Sequence, residues 1–271
     1  MSVKVPVIAV VGSKASGKTT VVEGLVRELT KRGYRVAAAK HVDIKGFSMD
    51  TEGKDTWRHS AAGANPVVSV SDAETAVLIK NVKGKFSLDG IFRLMPEADV
   101  IVLEGFSRLV LGDEHVGKIL CVKNVKEYED YRRKSRGEII AFCSIHSMEP
   151  PILRIKEDAL ILVNRTLEFV DEKVKISKTL GVLPRLDCGK CGYKSCEELA
   201  AAICSGKAKI SSCVPLRLKS ELKTKITIDD AEIPIQPFVS RIIRNAVLSM
   251  ISSLKWVSIK GDEKVHIKIS R

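Results

Sequence analysis

Over its first 170 residues the chain alternates short, unbroken apolar runs with longer stretches whose apolar positions recur every three or four residues. "VPVIAVVG" (5–12) is apolar almost throughout, as a strand covered on both faces would be. "KTTVVEGLVRELTKRG" (18–33) has helical periodicity and closes on Gly33, and "YRVAAAKH" (34–41) reads as a second strand. "ADVIVLEGF" (98–106) is another unbroken run, expected to be a central parallel strand. "PVVSVSD" (66–72), "TAVLIK" (75–80), "KILCVK" (118–123) and "EIIAFC" (138–143) read as further strands. Strands interleaved with helices predict an α/β fold: an open, mostly parallel sheet flanked by helices, with right-handed crossovers.

The pattern changes after about residue 172. "KISKTLGVLPRLDCGKCG" (175–192) reads as polar and turn-rich, and "KSCEELAAAICSG" (194–206) as a helix ending at Gly206. Further on, "QPFVSRIIRNAVLSMISSLKW" (236–256) has apolar residues at helical spacing, among them Phe238, Ile242, Ile243, Val247, Met250 and Leu254. "WVSIKGDEKVHIKIS" (256–270) reads as a hairpin turning at Gly261-Asp262, with Trp256 in its core. The expected organisation is therefore three parts: residues 1–172, 173–230, and a C-terminal α+β tail at 231–271. The tail reads either as a helix packed on its own hairpin or as a docking or dimer element, since so short a piece buries little by itself.

Composition narrows the classes. With 45% hydrophobic and 29% charged residues, the 271-residue chain is ordinary for a globular protein, and no apolar run reaches the ~20 residues of a membrane span. Its opening lacks a separate cationic region before the apolar run, so it reads as a buried strand and not as a signal peptide; a cytoplasmic setting is expected. In such a setting seven cysteines argue for free thiols or metal ligation before disulfides. The net charge of +12 is uneven, residues 171–271 holding 19 Lys+Arg against 11 Asp+Glu. That excess is either a surface for an acidic partner or a solvated basic face. No aromatic-interleaved RNA-binding signature accompanies it, and nucleic acid is not expected.

The segment Gly12-Ser13-Lys14-Ala15-Ser16-Gly17-Lys18-Thr19, followed by Thr20, fits G-x-x-x-x-G-K-[ST] at every fixed position and lies between a predicted strand and a predicted helix. Glycines let backbone N–H groups converge on phosphates, and the helix N-terminus adds a favourable dipole. Lys18 would reach the β- and γ-phosphates and Thr19 would place its hydroxyl on Mg²⁺. Glu104, directly after four apolar residues at the end of the run "VIVLE", is the expected carboxylate near that metal or its water. Lys14 sits one place later than the extra lysine of the nitrogenase-iron-protein type of loop, which argues against a dimeric ATP-driven electron donor.

Three further features join the loop: a Lys40-His41 pair at the second strand's end, "GKDT" (53–56) in a polar loop, and "AGA" (62–64) closing the next helix. With "ADVIVLEGF" in order behind them, residues 4–170 resemble the molybdopterin-guanine dinucleotide biosynthesis protein B (MobB) family, which has a P-loop NTPase fold. The resemblance implies a GTP-binding adapter with at most weak GTPase activity, homodimeric, serving the guanylyltransferase that attaches GMP to molybdopterin. A molybdo- or tungsto-enzyme would be a further partner. It also implies that Gly12, Gly17, Lys18 and Thr19 hold phosphates and Mg²⁺. Lys40, His41, Asp50, Lys54 and Asp55 would then face the γ-phosphate or the pterin, with Glu104 on the strand-end acidic motif. The chain departs from the family in one respect: "HVDIKG" lacks the further histidines common after the first in bacterial members. No clear N-K-x-D guanine signature is present, "VKNV" (122–125) and "LVNR" (162–165) being faint echoes, so preference for GTP rests on the resemblance.

Cys188, Cys191, Cys196 and Cys213 follow C-x2-C-x4-C-x16-C. Soft thiolates suit iron–sulfur clusters or zinc, and free thiols are the third reading. Zinc sites usually pair two C-x2-C knuckles, whereas here a helix-length spacer separates the last ligand, which favours a polynuclear cluster. The stretch 188–215 is similar to the small four-cysteine [4Fe-4S] domain of some corrinoid and electron-transfer proteins. The resemblance implies those four thiols as ligands, with a redox, sensing or structural role. Cys204, on the same predicted helix as Cys196, reads as a core position, as do Cys121 and Cys143 inside apolar strands. Two other functions fit parts of the pattern. One is an NTP-dependent redox or metallocluster-delivery protein. The other is a small-molecule kinase using "YRRKSR" (131–136) as a cationic lid, a run that equally suits a solvated helix face.

Overall fold

The computed structural model describes residues 5–80, 86–220, 224, 226–228, 231–233, 235 and 237–255, which form two compact units, Met1–Val174 and Lys175–Arg271. In the first, β1 (Val7–Gly12) leads through the phosphate loop into α1 (Lys18–Lys31) and then β2 (Val36–Lys40). A short helix α2 (Asp55–Ala61) precedes β3 (Val67–Val70) and β4 (Thr75–Leu78). Next come α3 (Leu88–Phe92), β5 (Val100–Glu104), α4 (Ser107–Val110), β6 (Gly117–Cys121), α5 (Val125–Lys134), β7 (Ile139–Ser144), β8 (Ile152–Arg154) and α6 (Ala159–Val182).

Six strands make one parallel sheet in the order β2-β5-β1-β6-β7-β8. Because side chains alternate across a strand, the unbroken apolar runs feed two cores at once. Ile8 and Val10 of β1 and Val100 and Val102 of β5 face Val21, Leu25 and Leu29 of α1 and Leu162, Leu167 and Val170 of α6. Val7, Ala9 and Val11, with Ile101 and Leu103, face the opposite layer around Phe106 and Val110. The four-residue spacing of Val21, Leu25 and Leu29 keeps them on one helical stripe. The strand order reverses at β1, and in open α/β sheets that reversal opens a ligand crevice beyond the strand C-termini. Gly12 and Glu104 occupy those ends on β1 and β5.

Two expectations need correction. "PVVSVSD" and "TAVLIK" are strands, but β3 and β4 pair only with each other, as an antiparallel hairpin apart from the six-stranded sheet. One face of that hairpin leaves Val68, Val70, Val77 and Ile79 exposed. The segment from residue 175 is not turn-rich at its start: helix α6 runs on to Val182. Ile176, Leu180 and Leu183 lie at helical spacing and pack into the core of the second unit, so tertiary burial carries the helix through Lys175, Ser177, Lys178 and Gly181.

That second core is small, with Leu183, Cys196, Leu199, Ala200 and Cys213 buried at its centre. It is built on α7 (Cys196–Cys204), followed by a 3₁₀ turn at Ile210–Ser212 and α8 (Val214–Ser220). A short hairpin not expected from sequence, β9 (Ile226–Ile228) with β10 (Ala231–Ile233), precedes α9 (Pro237–Ser252). The helical pattern of the tail is thus realised, with Phe238, Ile242, Met250 and Leu254 exposed. The expected hairpin at Gly261-Asp262 and Trp256 lie outside the described residues. Among those residues no helix is long and apolar enough to cross a membrane.

Candidate functional site

The loop after β1 owes its shape to two glycines. Gly17 caps α1 at φ 88°, and a Cβ there would run into Ile155 and Ile145. A Cβ on Gly12 would collide with the Cys121 carbonyl and the Ser16 hydroxyl. Ser16 is fully buried, and the Oγ atoms of Ser13 and Ser16 are buried with no hydrogen-bond partner. Lys18 folds back so that Nζ donates to the Ser13 carbonyl at 2.6 Å, and residues 15–20 line one open pocket. Crowded glycines, orphaned hydroxyls and a helix N-terminus form a cradle whose chemistry suits a polyphosphate.

The acidic partner is in place. Glu104, buried at the end of β5, accepts a 2.9 Å hydrogen bond from the Thr19 hydroxyl, and the same Oε1 receives Lys40 Nζ at 2.9 Å. Register puts Lys40 beside Glu104 across the β2–β5 pair, and the His41 amide donates to the Glu104 carbonyl. The His41 ring lies against Phe86 and Phe106, 5.5 and 5.4 Å away between centroids, so this histidine stands in an aromatic cluster. Neither phenylalanine was singled out from sequence, because nothing in its local pattern distinguishes it from core.

The structure does not draw the remaining loop residues into that group. Asp50 accepts 2.7 Å bonds from Lys80 and from Thr56, and the Lys80 ammonium, then the Thr56 hydroxyl, holds its carboxyl below the usual aspartate range. Lys54 caps α2 and Asp55 begins it, facing Arg58 at 3.9 Å. Lys14 and Thr20 are exposed on the loop and first turn. Asn124 of the faint guanine echo caps α5, accepting from the Glu127 amide. In "YRRKSR", Tyr131 packs on the core and Arg133 pairs with Asp130, in keeping with a solvated helix face.

In the second unit Cys188, Cys191, Cys196 and Cys213 line a single pocket, with Leu186, Asp187, Tyr193 and Pro215 among its walls. Cys196 begins α7. Its amide donates 2.6 Å to Asp187, a residue in the left-handed region at φ 44°. Among the described residues no three His, Cys, Asp or Glu side chains converge on a single ion. The four cysteines line one pocket, and soft thiolates are suitable ligands for an iron–sulfur cluster. Cys204 is corrected: it is the last residue of α7, exposed, and meets Thr179 at 3.3 Å. Cys121 and Cys143 are buried as expected and lie side by side on β6 and β7 with 3.5 Å between sulfurs. That contact, reinforced by burial, raises the Cys121 thiol well above its ordinary range and keeps it protonated.

Comparison with known proteins agrees with both halves. The family model "Molybdopterin guanine dinucleotide synthesis protein B" matches residues 7–145, and "Putative Fe-S cluster" matches 183–215. A Methanocaldococcus jannaschii protein named "Putative molybdopterin-guanine dinucleotide biosynthesis adapter protein" is 28% identical over 267 residues, covering 98% of each chain. The "Molybdopterin-guanine dinucleotide biosynthesis adapter protein" of Haemophilus influenzae is 32% identical over 138 residues, 48% of this chain and 74% of that one. A crystal structure of Bacillus subtilis MobB shares 25% identity, covering 60% of this chain and 97% of that one, at a TM-score of 0.47. With a model match over half its length and a nucleotide loop to go with it, the chain belongs to the molybdopterin guanine dinucleotide synthesis protein B family.

Proposed function

We propose that this protein is a cytoplasmic GTP-binding adapter in molybdenum or tungsten cofactor biosynthesis, assisting the guanylyltransferase that joins GMP to molybdopterin. The observation that carries the reading is the Thr19–Glu104 contact, which brings the two expected Mg²⁺-side groups together at the mouth of the phosphate loop. Lys18 would hold the β- and γ-phosphate oxygens, the amides of residues 13–19 the rest, and Thr19 with Glu104 the Mg²⁺ or its water. Mg²⁺ there would neutralise phosphate charge. Lys40 pairs with the same Glu104 oxygen, next to the position expected for the Mg²⁺. Residues 1–172 carry this chemistry. Residues 173–230 hold a [4Fe-4S] cluster on Cys188, Cys191, Cys196 and Cys213, and residues 231–271 form an appended tail. The exposed aliphatic face of the β3–β4 hairpin supports a homodimer.

The test is anaerobic. Affinity and hydrolysis are measured for GTP and ATP, and GMP transfer to molybdopterin by the guanylyltransferase is followed with and without this protein. GTP preference, slow turnover and faster transfer are expected. ATP preference, or turnover that switches on when the cluster is reduced, sinks the adapter and favours an NTP-dependent redox or metallocluster-delivery protein.

A further inference from the structure

The burial of the four thiols is graded. Cys213 and Cys196 are 3% and 7% exposed, Cys191 is half-buried, and Cys188 is exposed. A group needed only to staple a small core would do as well with every ligand inside. Electron exchange with a partner is different: electronic coupling falls steeply with distance, so one edge must come to the surface. The surroundings of that edge are also distinctive. Leu186, 62% exposed, lies two residues before Cys188, and Ile210, 47% exposed, three residues before Cys213. Lys190, Lys194 and Lys209 are exposed, each within four residues of a ligand, and among the described residues none pairs with a carboxylate. Two of the nearby acids are turned to the main chain, Asp187 accepting from the Cys196 amide and Glu198 from the Lys194 amide. The result is a basic rim around apolar contacts, the composition of a transient interface steered by charge.

We propose that the Cys188 edge is the electron port of this protein, and that the Leu186, Ile210, Lys190, Lys194 and Lys209 surface docks an acidic one-electron carrier protein. The proposal rests on the reading that the four thiols hold a [4Fe-4S] cluster. In the step, the carrier is oxidised by one electron and the cluster reduced by one; no bond forms or breaks and no proton is required. Charge complementarity selects the carrier, since the rim is positive and the C-terminal 101 residues hold 19 Lys+Arg against 11 Asp+Glu.

The experiment uses the full-length holoprotein under anaerobic conditions, with a reduced acidic flavodoxin as the probe. Cluster content is read from iron and sulfide analysis and from the electron paramagnetic resonance of the reduced form, and the midpoint potential by titration. Stopped-flow absorbance then gives the second-order rate of electron transfer for the wild type and for K190E/K194E/K209E. The variant is expected to keep its cluster while its rate, compared at equal driving force from the measured midpoint potentials, falls about tenfold or more at low salt and loses its salt dependence. A second variant, Leu186→Ala, is expected to lower the rate without changing that salt dependence. Unchanged rates in both variants at full cluster content overturn the port while leaving the cluster reading intact. So does a charge-reversal effect confined to the binding of a single-stranded oligonucleotide. A wild-type preparation holding zinc and no iron overturns the cluster reading, and the port with it.

Discussion

Glu104 is where chemistry narrows the choice of residue most tightly. One oxygen serves both the Thr19 hydroxyl and the Lys40 ammonium. Glu104→Gln keeps the shape and removes the charge that would hold Mg²⁺ through Thr19. It is expected to weaken Mg²⁺-dependent GTP binding by at least about tenfold, roughly the 1.4 kcal/mol of a single charge-assisted contact, with Mg²⁺-free binding little changed. Calorimetric titration with and without Mg²⁺ checks this, and equal losses in both conditions would assign Glu104 a merely structural part. Asp50 gives a pH-dependent prediction. Its carboxyl is held below the ordinary aspartate range, so the fold favours the charged form. Its stabilisation is complete above that range and is lost as pH falls through the folded value. Melting temperatures of wild type and Asp50→Asn should therefore differ by a constant gap near neutrality, closing on acidification. A gap that survives at the acid end would show that the Lys80 and Thr56 contacts do not depend on charge. Lys118 is fully buried on β6, where burial lowers its pKa and Nζ donates to the carbonyls of Asp113 and Val116 at 2.6 and 2.7 Å. Lys118→Met leaves both carbonyls without that partner and is expected to cost about 1–3 kcal/mol in denaturant unfolding; an equally stable variant would mean the loop finds other donors.

The elements divide into those whose pattern was self-sufficient and those that needed a tertiary partner. The strands of the parallel sheet were legible because burial on both faces leaves no polar position, and the phosphate loop because Gly12, Gly17, Lys18 and Thr19 admit few substitutes. The four cysteines were legible by spacing, and they do share a pocket. What escaped was decided at a distance. The end of α6 looks like a loop by composition and is helical because Ile176, Leu180 and Leu183 have a core to enter. The β3–β4 hairpin has ordinary strand composition, and nothing local says that it stands apart from the sheet. Asp50 carried a family role by position, yet its partner Lys80 lies 30 residues away. Cys204 had the apolar company of a core residue but stands at the very end of α7, where it is exposed. That helix supplies a prediction of its own. Leu199 is fully buried between the thiols and α6, and Leu199→Ala should destabilise the second unit by about 2–5 kcal/mol. Iron content after anaerobic dialysis should fall while GTP affinity holds, and full iron retention would mean the ligands themselves fix the fold.

At the scale of the whole molecule, a two-unit chain raises the question of which half stabilises which property. The first unit has two large cores on either side of a six-stranded sheet and can stand on burial alone. Among the described residues the second has a core cluster of five buried residues, two of them cysteines of the pocket. Small cores commonly lean on a cross-link or a bound metal group, so the proposed cluster is expected to supply much of this unit's folding free energy. Removing the iron with a chelator should therefore leave residues 183–215 open to proteolysis and erase a separate melting transition. The nucleotide loop, held by Gly12, Gly17 and the β1–β5 pair inside the other unit, has no comparable dependence. GTP affinity of the stripped protein is thus expected to stay within about twofold of the holoprotein, measured by titration on the same preparation before and after chelation. Proteolysis without loss of affinity means that the adapter's nucleotide chemistry and its cluster are separable. An affinity that collapses with the cluster means that the iron–sulfur unit sets the state of the phosphate loop, and the gated-redox function replaces the adapter.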